Sequence, residues 1–294
     1  MAAEATATLP HRGRRIIDAH TALTGVLGYP VRHSLSPAMH NAAFYALGLN
    51  WVYLAFEVAP DRLAQAIEGM RGLGIRGLNL TIPHKEAVIP LLDGLTDAAR
   101  HIGAVNMLFW DGARLIGDNT DAEGFLRALH EAGVNPAGQT VLVLGAGGAA
   151  RAVVYALRTQ DCTVWIANRS RERAEALAAA FGCAGIVSLE RDALAPCTAH
   201  ADGVVNCTAL GMEPHANTMP PLPVEALPAN AWVCDLVYRP LRTRLLQAAA
   251  ARGLTTIDGL GMLVHQGALA FERWTGSPAP VDTMRAAALH ALEL

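Results

Sequence analysis

Lysine is almost missing from this sequence. Of 23 basic residues in 294, one is a lysine, Lys85, and the other 22 are arginines. A general preference for arginine explains the bias but not the exception. Arginine cannot give up its proton at usable pH, whereas lysine can when its surroundings lower its pKa. Lys85 therefore stands where proton transfer would need it, or it is one surviving surface lysine. Its neighbours, below, favour the first.

Charge is scarce too. Charged residues make up 17% of the chain and the formal net charge is −3. Without a basic surplus the chain is not expected to bind nucleic acid or an anionic membrane. The five cysteines, Cys162, Cys183, Cys197, Cys207 and Cys234, form no CxxC pair. An odd, scattered set argues against a disulfide framework and against a zinc site. A reducing cytoplasm is the expected compartment, with no metal. The most apolar stretch, Val141 to Leu157, is cut by Arg151 and rich in glycine, so it is not read as a membrane span. Arg14-Arg15 could pass for an export signal, but Asp18 and His20 follow and no apolar core does. Residues 1–20 are expected to be an N-terminal extension. No internal repeat and no low-complexity linker is present.

What is abundant is apolar sequence, 52% of the chain, enough for a sizeable core or two. Strand-like and helix-like segments alternate. Strands are expected at Thr21–Leu27, Trp51–Val58 and Gly77–Ile82, and helices at Pro37–Leu47, Arg62–Met70 and Glu86–Leu92. Ala104–Trp110 and Arg114–Gly117 read as a hairpin turning at Asp111-Gly112. A second unit opens with a helix at Ala122–Ala132. It continues through strands Thr140–Leu144, Thr163–Ala167, Asp202–Asn206, Trp232–Leu236 and Thr255–Ile257. Helices Ala149–Arg158, Arg171–Phe181 and Thr243–Ala251 lie between them, and Met262–Trp274 and Val281–Leu292 end the chain. Such βα alternation predicts an α/β protein with mostly parallel sheets covered by helices.

Gly145-Ala146-Gly147-Gly148-Ala149-Ala150 joins an apolar strand to a helix and fits GxGxxA, a form of the dinucleotide fingerprint. Glycine is needed there for the tight turn, and so that a pyrophosphate can reach the N–H groups at the helix start. About twenty residues on, an NAD enzyme places an acidic residue on the ribose 2′-hydroxyl. Here the sequence is Asn168-Arg169-Ser170-Arg171. With no carboxylate to repel a 2′-phosphate and two guanidiniums to pair with it, NADP is expected over NAD. A solvated basic helix start is the bland alternative.

Asn79-Leu80-Thr81-Ile82-Pro83-His84-Lys85 surrounds the lysine. Asn79 and Thr81 alternate and so share one side of a strand that Pro83 ends. Open α/β sheets bind ligands at such C-terminal edges. His84 lacks a partner at ligand spacing and reads as a packing or surface residue. Gly103 to Asn106 and Asp118 to Asp121 look like further edges of this kind, with Asp121 also suited to cap the helix after it. Ser34-Leu35-Ser36-Pro37 suits an anion site, with Ser36 as helix N-cap and Pro37 as first helical residue.

These motifs, together with Gly28-Tyr29-Pro30, Asn206-Cys207-Thr208, Asp235 to Tyr238 and Gly259 to Gln266, resemble the shikimate dehydrogenase family from Thr24 to Leu294. The resemblance implies a substrate domain of residues 21–121 and 259–294 and a Rossmann NADP domain of residues 122–258. It implies that Lys85 and Asp121 form the catalytic pair. Ser34, Ser36 and Tyr238 would grip a carboxylate, and Asn79, Thr81, Asn106 and Gln266 would hold ring hydroxyls. Gly145, Ala146, Gly147, Gly148 and Ala149 would cradle the pyrophosphate, with Asn168 and Arg169 at the 2′-phosphate. Thr208, Gly261 and Met262 would line the nicotinamide pocket. The implied reaction is reduction of 3-dehydroshikimate by NADPH, the partner a small molecule, and the chain a monomer or homodimer. Met107 and Ala122 depart from the family's usual threonine and glycine. Met107 leaves a sister activity on quinate or an aminated shikimate open. A non-catalytic NADP-binding module is the reading from another class.

Overall fold

The computed structural model describes residues 17–293, so the expected N-terminal extension lies almost wholly outside the described residues. Its last part is a turn in which Asp18 accepts a hydrogen bond from Asn50 Nδ2 at 3.0 Å. The chain then builds β1 (Ala22–Gly28), α1 (Ser36–Ala46), β2 (Trp51–Glu57), α2 (Leu63–Leu73), β3 (Gly77–Leu80) and α3 (His84–Ala87). β4 (Gly94–Leu95), α4 (Asp97–Ile102), β5 (Met107–Asp111) and β6 (Arg114–Asp118) complete the first half. These strands form one sheet in the order β2-β1-β3-β5-β6-β4. β1 runs parallel to β2 and β3, while β5 is antiparallel to both its neighbours.

The second half comprises α5 (Asp121–Glu131), β7 (Thr140–Leu144), α6 (Gly148–Arg158), β8 (Thr163–Asn168), α7 (Arg171–Phe181) and β9 (Gly185–Ser188). α8 (Arg191–Thr198), β10 (Gly203–Asn206), β11 (Trp232–Asp235), α9 (Arg244–Ala251) and β12 (Thr255–Ile257) follow. Its sheet is entirely parallel, in the order β12-β11-β10-β7-β8-β9. That is the doubly wound dinucleotide-binding order, and the switch point falls between β7 and β10, where the loop Gly145–Gly147 emerges. The last helices, α10 (Gly259–Thr275) and α11 (Val281–Leu292), return to the first sheet. Phe271 and Met284 pack there against Val26, Phe44 and Tyr53. Each large side chain fully buried in this way is worth about 2 kcal/mol over exposure. The other face of the sheet is closed by Leu63, Ile67 and Met70 of α2.

Two crossings join the halves, and they lie together. A Cβ on Gly124 of α5 would come within 2.8 Å of the Gln266 backbone nitrogen on α10. At the far end of α5, Glu131 accepts from His265 Nε2 at 3.0 Å and from Arg285 Nη2 at 2.6 Å. A third link is not covalent. Arg151 of α6 donates through Nε to the Ile102 carbonyl at 2.5 Å, satisfying the end of α4.

Several local expectations are corrected. The segment expected to be helical over Glu86–Leu92 is the single turn α3 followed by a 3₁₀ turn at Ile89–Leu91, because Pro90 has no N–H to continue a helix. β4, α4, β9 and α8 were not expected. α8 contains Pro196, which hides its pattern. α10 begins three residues earlier than expected, capped by Asp258, whose Oδ1 accepts from Leu260 N–H at 3.0 Å. The glycines there, poor helix formers, let α10 approach its surroundings: a Cβ on Gly259 would stand 2.2 Å from the Leu236 oxygen.

Candidate active site

β3 is buried along its whole length, and its C-terminal edge delivers Asn79 and then Thr81 to one side. The chain turns at Pro83, and the short α3 lifts Lys85. His84 is buried, its Nε2 2.8 Å from the Val58 oxygen, so of the two sequence readings packing is the one that holds. The Lys85 carbonyl accepts from Val105 N–H at 2.7 Å, tying the lysine to the loop that carries Asn106.

Lys85 Nζ donates to Asp121 Oδ2 at 2.6 Å, and their side chains are only 16% and 6% exposed. Asp121 is the first residue of α5. It does not cap the helix as expected, because Thr120 occupies the cap position in helical conformation and the Asp121 N–H bonds Asn119 Oδ1 at 3.0 Å. Its carboxylate is thereby left for Lys85. The other oxygen, Oδ1, accepts from Asn106 Nδ2 at 2.8 Å. Asn106 also reaches Gln266 Oε1 at 3.3 Å, and its own oxygen accepts from Thr120 N–H at 2.8 Å. The amide network holds the carboxylate end of the ion pair in place, and the extra hydrogen bond offsets part of the cost of burying the pair.

Ser36 likewise is not an N-cap. α1 starts one residue earlier than expected, with Leu35 at the cap and Pro37 second, and Ser34 Oγ accepts from Ser36 N–H at 3.3 Å. Ser-Pro suits either register, since proline tolerates any position in the first turn. The consequence is that both serines face one cleft. All nine expected catalytic and substrate residues line it: Lys85 and Asp121, Ser34, Ser36 and Tyr238, and Asn79, Thr81, Asn106 and Gln266. The cleft has a volume of about 160 Å³ and opens to solvent. Burial pushes the Tyr238 phenol up, so it meets a ligand as a neutral hydroxyl. His33, Leu236 and Leu263 share the lining and were not singled out from sequence. Their only signal was adjacency to Ser34, Tyr238 and Met262.

The glycine loop lies against the stem of Lys85, and 3.3 Å would separate a Cβ on Gly148 from Lys85 Cδ. Gly145 sits at φ +112°, where a side chain would strain the turn, and its Cβ would stand 3.2 Å from Cys207. Nothing lies within 4 Å of a Cβ on Gly147, so space is open above the N-terminus of α6 with Ala149 in its first turn. Ala146 is half-buried beside it. Asn168, Arg169 and Thr208 line an adjoining apolar cleft with Leu189, His215 and Thr218. Of the two expected guanidiniums, Arg171 turns to Glu175 at 2.8 Å, leaving Arg169 exposed at the cleft. Free helix N–H groups, an open glycine turn and a basic residue with no opposing carboxylate fit an NADP molecule. Met262 lines the catalytic cleft, whereas Gly261 faces Ala128 of α5. Met107 is wholly buried on β5 and forms no part of the lining. Among the described residues no group of three or more His, Cys, Asp or Glu could hold a metal ion, and no helix is long and apolar enough to cross a membrane.

Behind the cleft, Asp235 at the end of β11 is buried, and among the described residues no cation pairs with it. It accepts from Asn206 Nδ2 at 2.9 Å, Val237 N–H at 3.1 Å and Thr243 Oγ1 at 2.7 Å. Burial outweighs these bonds and raises its pKa to about 6.

Comparison with known proteins agrees with this geometry. Residues 26–108 match the shikimate dehydrogenase substrate binding domain, residues 128–214 the shikimate/quinate 5-dehydrogenase model, and residues 259–289 the shikimate 5′-dehydrogenase C-terminal domain. The chain is 52% identical over 278 residues to the NADP(+) shikimate dehydrogenase of Symbiobacterium thermophilum, covering 92% of this chain and 95% of that one. The chain belongs to the shikimate dehydrogenase family. Among solved members, the Thermus thermophilus shikimate 5-dehydrogenase, in complex with NADP(H) and shikimate, superposes with a TM-score of 0.84. It is 45% identical, over 92% of this chain and 100% of that one. A quinate dehydrogenase from Corynebacterium glutamicum in complex with NAD is 36% identical with a TM-score of 0.83, over 92% and 99%.

Proposed function

We propose that the chain is an NADP-dependent oxidoreductase that interconverts 3-dehydroshikimate and shikimate. The single observation that carries the reading is the 2.6 Å contact of Lys85 with Asp121, in a cleft where the lysine's stem packs on the glycine loop at Gly148. Residues 21–121 and 259–294 would form the substrate domain and residues 122–258 the NADP domain. Gly145 to Ala149 would hold the pyrophosphate, Asn168 and Arg169 the 2′-phosphate, and Thr208 and Met262 the nicotinamide end, with Gly261 packed against α5 behind them.

NADPH bound there supplies the hydride that reduces the ketone carbon. Ser34, Ser36 and Tyr238 hold the carboxylate with hydroxyl donors, and Asn79, Thr81, Asn106 and Gln266 orient the ring. Lys85 hydrogen-bonds the ketone oxygen and gives it a proton as negative charge develops there. Asp121 fixes the ammonium group through its Oδ2. In the oxidative direction Lys85 takes the proton back. All five cysteines are free thiols, which suits a reducing cytoplasm.

A quinate or aminoshikimate activity was left open by Met107, and its burial away from the cleft removes that support. The paired Lys85 and Asp121 inside a cleft weigh against the non-catalytic reading. Crossing shikimate and quinate with NADP⁺ and NAD⁺ tests all of these. Rapid reduction with shikimate and NADP⁺ is the expected result. Preference for quinate with NAD⁺ would favour the sister activity, and no turnover in any combination would refute an enzymatic role.

A further inference from the structure

We propose that Tyr53 is a positioning residue for the substrate: its buried hydroxyl pins the Asn79 amide so that nitrogen, and not oxygen, faces the cleft. This rests on the reading of the cleft given above. Tyr53 lies on β2 and is completely buried. Its hydroxyl donates to Asn79 Oδ1 at 2.8 Å, and Asn79 Nδ2 donates to the Asn106 carbonyl at 3.1 Å. A backbone carbonyl can only accept, so the amide nitrogen must turn toward Asn106 and its oxygen toward Tyr53. The phenol is then the donor. Reversing the amide would set two oxygens against each other at Asn106.

With its oxygen occupied, Asn79 has one remaining N–H for a ligand. Gln266 is arranged in the same way: Oε1 receives Asn106 Nδ2, Nε2 donates to the Leu263 carbonyl at 2.8 Å, and one N–H is left. With the Lys85 ammonium beside them, these amides present donors and select ligand oxygens that accept. The phenol itself is held flat. Its ring stacks on His40 at 4.3 Å between centroids and 1° between planes. Burial pushes His40 down to about 3 and neither ring nitrogen has a partner, so the imidazole is a neutral platform.

The test compares the parent with Tyr53→Phe, Asn79→Ala and the double variant, using shikimate and NADP⁺. Phenylalanine keeps the ring and its stacking and removes only the hydroxyl. Tyr53→Phe is expected to raise KM for shikimate about 10-fold, the worth of one misdirected hydrogen bond. KM for NADP⁺ and kcat should stay within about twofold. In the Asn79→Ala background the same change should do nothing further, because residues acting through one contact are not additive. A second variant, Asn79→Asp, can accept from Tyr53 but has no N–H for the substrate, and should bind shikimate as poorly as Asn79→Ala. Overturning results are a Tyr53→Phe KM within twofold of the parent, an equal rise in both backgrounds, or parental binding by Asn79→Asp. A parent that cannot oxidise shikimate would sink the reading of the cleft itself, whereas an active parent indifferent to Tyr53→Phe removes this inference alone.

Discussion

The stem of Lys85 lies against the first turn of α6: a Cβ on Gly148 would stand 3.3 Å from Lys85 Cδ. The proposed proton donor thus packs on the helix that would carry the pyrophosphate. Gly148→Ala should displace the ammonium group and crowd the cofactor together. The lysine stem must give by a few tenths of an ångström, well short of the near 1 Å that costs about 10²-fold, so kcat/KM for shikimate should fall by about 3- to 10-fold. The melting temperature should barely move, because the neighbour is a flexible side chain. Steady-state kinetics beside a thermal melt check this, and unchanged kcat/KM would show that the loop does not hold the lysine.

Lys85→Ala should lower kcat by about 10²–10⁴-fold, the usual contribution of a positioned acid or base. Shikimate should still bind, since the serines, Asn79 and Gln266 remain. Single-turnover rates and equilibrium titration separate the two effects. A variant turning over at the parental rate would end the assignment.

Arg169→Ala should weaken NADP⁺ by about 10- to 100-fold, the worth of one or two charge-assisted hydrogen bonds, and leave NAD⁺ nearly untouched. Equal losses with both cofactors would make Arg169 structural.

Asp235 makes stability depend on pH in an unusual direction. Its pKa rises from 3.8 to about 6 on folding, so the folded state favours the protonated acid. The stabilisation is complete below pH 4 and is lost as pH rises through 6, a fall of about 3 kcal/mol for a shift of this size. Asp235→Asn keeps an amide oxygen for Asn206 and Val237 and cannot titrate. Urea unfolding of parent and variant between pH 4 and 7 should therefore show the parent losing stability relative to the variant. Parallel curves would refute the buried, uncompensated acid.

Much of the site was legible because polar side chains at strand ends serve no core. Asn79 and Thr81 alternate, Lys85 stands alone among arginines, and Gly145 to Ala150 fit a turn geometry that few sequences satisfy. Tyr53 was not legible: an aromatic residue on a strand looks like core, and only its hydroxyl, aimed at Asn79, says otherwise. Asp235 was visible only as part of a motif, since burial without a cation cannot be read from sequence. β4 and β9 are too short to show a period, and α8 is masked by Pro196. The Ser36 cap failed for a finer reason. Ser-Pro is compatible with two registers, and the choice depends on Ser34 bonding the Ser36 N–H.

The paired helices α5 and α10 carry a mechanical consequence. The chain passes between its two sheets once out, at Asp121, and once back, at Gly259, and the two passages are laced together at Gly124–Gln266 and at Glu131–His265–Arg285. Two adjacent pins permit swinging about their shared axis and resist torsion. Any opening of the cleft would then follow a single arc, like a door on its jamb. Such a swing would have to part the Arg151–Ile102 contact.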